Sequence, residues 1–177
     1  MMNQSELSQA SAGVQRRVAG LSLEQMQRVP APGKWSRQQV LQHLMLAYAL
    51  TTLELRRRLE TGTTTQRKPS LKHRAAQFLM LRIGKFPNGF EAPDVVRPER
   101  SDVLPMNGDS LAALYNAQIE ELAASIEACS ARWGTSRRIA VHPVIGPMSA
   151  AQWTAFHALH TRHHTRQLDR ITNALSV

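Results

Sequence analysis

The chain has 177 residues, 42% hydrophobic and 20% charged, with 22 Lys+Arg against 13 Asp+Glu and a formal net charge of +9. That length predicts one domain over residues 1–177 with a core of its own, and the single cysteine, Cys129, excludes an intrachain disulfide framework. No apolar run reaches the ~18 residues of a membrane span, and the opening MMNQSELSQA has neither the basic flank nor the apolar core of a signal peptide, so the expected compartment is the cytoplasm.

A first helix is expected over Ser5–Val29, where Leu7, Ala10, Val14, Val18, Leu21 and Met26 recur at helical spacing. Gly20 and Ser22 are placed to break it near its end. Pro30-Ala31-Pro32-Gly33-Lys34 interrupts the pattern, and Ser36 then caps a second helix from Arg37 to about Glu60. Its apolar arc includes Val40, Leu41, Leu44, Ala47, Leu50, Leu53 and Leu55, with His43 inside it. The triplet Arg56-Arg57-Arg58 suits a solvated helix C-terminus.

Thr61–Gly108 is a long connection punctuated by Pro69, Pro87, Pro93, Pro98 and Pro105. Ser70–Gly84 carries enough periodicity for a short helix, and Phe86–Leu104 reads as extended and irregular. Its apolar residues, among them Phe86, Phe90, Val95, Val96 and Val103, favour a packed loop that walls or covers a site. Asp109 or Ser110 is expected to cap a third long helix, which ends at Gly134. A rigid connector, His142–Met148, precedes a last helix over Ala150–Ala174 capped by Ser149. No strand pattern of comparable strength is present. The expected fold is therefore all-α: a four-helix bundle with a long elaborated crossover between helices 2 and 3.

The last helix carries the chemistry. WTAFHALHTRHHTRQL, Trp153–Leu168, holds four of the seven histidines, and His157, His160 and His164 share its apolar arc with Trp153, Phe156 and Leu168. Buried imidazoles need a partner at each ring nitrogen, and three on one stripe exceed ordinary core packing. His160 and His164, one turn apart, can reach a common ion, whereas His157 and His164 stand two turns apart. Thr161 follows His160, so this is not the HExxH pattern of zinc proteases. His43, inside the arc of another helix, is the third candidate. Glu54 on the same helix lies about 16 Å further on and is too distant to share the ion.

WSRQQVLQHL followed by HPVIGPMSAAQWTAFHALHTRHHTRQL resembles the DinB/YfiT-like superfamily of four-helix-bundle metalloenzymes, in particular a DinB-like subfamily with an HPxxG connector and an HxxHHxxQ helix. The likeness covers Trp35 to Leu168. It implies a divalent transition metal, zinc or nickel, held by His43, His160 and His164 with water completing the site, and His163 pointing elsewhere. It also implies a metal-dependent transferase using a low-molecular-weight thiol, or a hydrolase, acting on a small-molecule substrate. Thr165-Arg166 departs from the Arg-Gly that many members carry before the glutamine, so the resemblance does not identify which thiol would serve. A homodimer is a further expectation.

Gln167 is a candidate to orient a ligand imidazole, with His157 and His142 as further residues around the site. Trp35 and Trp153 read as core anchors at helix starts, His73 as exposed, and Cys129 as a small core residue. Two rival readings stay open. One is a non-catalytic metal-binding or structural bundle. The other is nucleic-acid binding through the basic surface, against which stand 18 scattered arginines among the 22 cations and the absence of aromatic interleaving. The arginine excess also offers attraction for an anionic thiol or substrate.

Overall fold

The structure, a computed structural model, describes residues 3–84 and 91–176. Phe86 and Phe90, expected in the packed connection, lie outside the described residues. Six helices form in chain order: α1 (Asn3–Val18), α2 (Leu23–Gln27), α3 (Arg37–Thr61), α4 (Leu71–Gln77), α5 (Gly108–Trp133) and α6 (Ala150–Leu175). Among the described residues no helix is long and apolar enough to cross a membrane. The four long helices make the bundle, α1 lying along α6 and α3 along α5.

The break expected near the end of the first helix falls at Gly20, with φ +70°, and Ser22 caps the separate α2. Ser36, Ser70 and Ser149 each close a reciprocal capping box at the starts of α3, α4 and α6. At α5 the cap is Asn107, whose Oδ1 accepts from the Ser110 N–H at 2.9 Å, rather than Asp109 or Ser110. Asp109 instead accepts from the Gly20 N–H at 3.0 Å and holds α5 to the end of α1.

The connector before α6 also departs from expectation. Arg138–His142 (β1) and Gly146–Ser149 (β2) pair antiparallel, with Ala140 opposite Met148 and His142 opposite Gly146. Each strand is too short for periodicity to announce it. Pairing satisfies backbone groups that burial of Ala140 and Met148 would otherwise strand. The hairpin is tied to the crossover by the Thr65 N–H, which donates to Ile139 O at 2.9 Å.

The crossover returns along α3. Gln38 donates to Leu104 O at 3.1 Å and Gln42 to Val103 O at 2.9 Å, so successive turns of α3 hold the chain that passes over it. On α3, Leu53 is 66% exposed, outside the arc assigned to it, and Leu50 is 42% exposed at a cavity mouth. Within the bundle a chain of hydroxyls crosses three helices. Thr161 donates to His157 O at 2.7 Å, so Tyr48 donates to Thr161 Oγ1 and Tyr115 to Tyr48, the two tyrosines 3.2 Å apart.

Candidate metal centre

Three imidazoles from two helices meet at one point. His43 projects from the second turn of α3, and His160 and His164 from successive turns of α6. His43 Nε2 lies 3.1 Å from His160 Nε2, and His164 Nε2 lies 3.0 Å from the same atom. The three ligand atoms all fall within 4.8 Å of one another. An ion about 2.1 Å from each nitrogen brings neighbouring ligand atoms to about 3.0 Å from one another in octahedral and about 3.4 Å in tetrahedral geometry. The separations therefore fit a shared divalent ion.

The far nitrogens fix which atoms are free to ligate. His43 Nδ1–H donates to Val96 O at 2.7 Å, and His164 Nδ1–H donates to Gln167 Oε1 at 2.8 Å. Both rings thus carry a lone pair on Nε2, and both lone pairs face His160 Nε2. One proton on His160 Nε2 can serve only one of them, so an N–H···N network leaves a lone pair facing a lone pair. A cation satisfies all three. Burial also lowers the pKa of all three rings, well below the ordinary value for His160 and His164, which keeps them neutral as ligation requires.

The cluster stands in the wall of a cavity of about 820 Å³. Trp35 lines it, its ring 5.1 Å from His43 and 6.4 Å from His164, so it forms a cavity wall rather than a simple core anchor. Trp153 combines both roles, 4% exposed and lining the same cavity. Phe156 stacks on His160 at 5.5 Å with 15° between planes. No arginine is among the described lining residues.

The other expected residues separate by position. Gln167 touches the cluster directly. His157 does not: its Nε2–H donates to Thr51 Oγ1 at 3.1 Å, since the Thr51 hydroxyl is committed to Ala47 O, and full burial lowers its pKa to about 3. His142 lies against Phe156 and Trp153, at 4.7 and 5.8 Å between ring centroids, and not against the three imidazoles. His163 stays out of the cluster, yet its half-buried ring lines the cavity rather than pointing away from it. His73 is half-buried rather than exposed, its ring packed where a side chain on Gly146 would stand. Cys129 is a core residue whose thiol burial pushes up to about 11. Sequence reasoning missed the Val96 carbonyl and the cavity role of Trp35. A backbone acceptor has no residue signature, and a tryptophan before a helix reads the same in a core or a pocket wall.

A helical bundle with three converging imidazoles defines the class of protein that fits metal binding through a histidine cluster. Comparison with known families matches residues 6–168 to the DinB superfamily, and the chain belongs to it. No curated protein and no solved structure matches the chain.

Proposed function

We propose that the protein is a metal-dependent enzyme that binds one divalent transition metal, zinc or nickel, through Nε2 of His43, His160 and His164. Its reaction is transfer of a thiol to a small substrate or hydrolysis of that substrate. When bound, the metal supplies the Lewis acidity that lowers the pKa of a water or thiol beside it. The observation that carries the reading is the convergence of three neutral imidazoles on the wall of an 820 Å³ cavity. Among the described residues no fourth His, Cys, Asp or Glu joins the group, which leaves room for a reactant. A structural staple is closed by a fourth protein ligand and has no use for a cavity.

The residues of the chain have distinct parts in this reading. Val96 O and Gln167 Oε1 hold the outer rings in the tautomer that presents Nε2. Trp35 and Phe156 shield the rings from bulk water, and the apolar cavity receives the substrate. The test is metal content after purification without a histidine tag. Wild type should carry close to one ion per chain and His160→Ala almost none; equally little metal in both would remove the reading.

A further inference from the structure

The cavity continues well past the histidines. Along α3 its wall runs from His43 through Ala47 and Thr51 to Glu54, about 16 Å at the helical rise. α6 runs antiparallel to α3, with His160 beside His43, His157 beside Thr51, and Phe156 and Trp153 beyond the cluster. Leu79, Met80, Val144 and Phe156 give the trough an apolar wall. Lys34 and Glu54 are the only Lys, Arg, Asp or Glu in its described walls, and the Glu54 carboxylate is held by Arg57 and Arg58 at 2.8 and 2.7 Å. Apart from Lys34 at its exposed edge, a charged body inside it would lose water without gaining an ionic partner among the described walls.

His142 stands away from the cluster with one donor unmatched. Its Nδ1 accepts the N–H of Val144 at 3.1 Å and of Ile145 at 3.3 Å, which places the ring proton on Nε2. No hydrogen bond from Nε2 to a described residue is formed, and the ring lines the cavity. Burial holds the ring neutral, lowering its pKa to about 4. Its ring lies 4.7 Å from that of Phe156 between centroids, inclined at 63°, and Phe156 in turn stacks on His160 at 5.5 Å. One phenylalanine ring therefore separates the free donor from the histidine cluster.

A donor in an apolar wall is a specificity element, because a ligand oxygen satisfies it and an apolar tail does not. We propose that the trough takes an elongated, mainly apolar compound whose metal-binding head lies at the three histidines and whose carbonyl or ester oxygen, further along, is received by His142 Nε2–H. The place of the head rests on the metal reading above; the receipt of the oxygen by His142 does not.

The test uses zinc-loaded protein and three hydroxamates, followed by the fluorescence of Trp35 and Trp153, which line the trough. Acetohydroxamic acid offers the head, octanohydroxamic acid adds the apolar body, and the monohydroxamate methyl ester of octanedioic acid adds the acceptor. The body should tighten binding at least ~30-fold, and the ester a further three- to tenfold, roughly the worth of one neutral hydrogen bond. In His142→Asn, whose side-chain oxygen still accepts from Val144 and Ile145 but whose donor falls short, the ester should lose its gain while octanohydroxamic acid binds as before. No gain from the ester in wild type, or an undiminished gain in His142→Asn, overturns the proposal. Should zinc not bind, the metal reading fails separately, and methyl octanoate with metal-free protein tests His142 alone. There the variant should bind three- to tenfold more weakly, and equal affinity overturns the proposal.

Discussion

At the scale of single residues, the candidate centre depends on side chains that never touch an ion. Gln167 fixes the tautomer of His164 by accepting from its Nδ1 at 2.8 Å. Gln167→Leu frees the ring to rotate and to carry its proton on Nε2, so metal affinity should fall about 10- to 100-fold. Gln167→Glu, which keeps an acceptor, should hold affinity near wild type; competition with a chelating dye measures both. Unchanged affinity in Gln167→Leu would mean that packing alone orients His164. His157 has a different consequence, for stability. Its pKa is about 3 when folded against about 6.5 in an unfolded chain, so between those values only the unfolded chain takes up the proton. The stability it contributes is full above about pH 6.5 and declines as pH falls. Between pH 7 and 5 this one ring should cost roughly 2 kcal/mol. His157→Gln keeps an N–H for Thr51 but does not titrate, so metal-free variant and wild type compared by urea unfolding should differ by about that loss. Equal losses would place a proton on the buried ring or show that it is not buried in solution.

At the scale of elements, the tightest joint is where α5 begins. The Gly108 N–H donates to Leu21 O at 2.9 Å, and a Cβ on Gly108 would stand 1.7 Å from Val18 O. Backbone cannot yield as a side-chain tip does, so Gly108→Ala must push α5 away from the end of α1. A loss of at least about 3 kcal/mol is expected, read as a melting temperature lower by roughly 6–12 °C. The same joint explains a limit of sequence reading. Asn107, Asp109 and Ser110 are all competent caps, and the contact between Gly108 and the α1 end, which lies outside the local sequence, decides among them. Where the signal is local, the sequence was sufficient: Ser36 and Ser149 cap as their spacing predicts, and His160 and His164 share a face because they are four residues apart. The hairpin around Pro143 escaped because two short strands and a proline carry little periodicity. His43 was legible as an interior histidine, but the carbonyl of Val96 behind it depends on how the crossover returns over α3.

At the scale of the molecule, the three imidazoles join α3 to α6 across 117 residues of sequence, between helices that other contacts already hold in place. Tyr48 reaches Thr161 and Tyr115 inside the bundle, and Arg17 pairs with Asp169 at 2.6 Å between α1 and α6. The ring orientations are likewise set by Val96 and Gln167 before any ion arrives. A preformed site in a bundle with its own core should leave the metal-free protein folded, unlike small domains whose folding is the binding of zinc. The ion should still add stability by mass action, about 2.7 kcal/mol at a free concentration a hundred times Kd. For a chain of this size that is a rise of roughly 5–10 °C in melting temperature. Circular dichroism should therefore give the same helical signal with zinc and after chelation, a higher midpoint with zinc, and no zinc-dependent rise in His43→Ala. Loss of the helical signal on chelation would make the ion a staple of the fold. A bundle that keeps its shape without the ion has its imidazoles held in place by protein contacts, which leaves the remaining coordination free to serve a reactant.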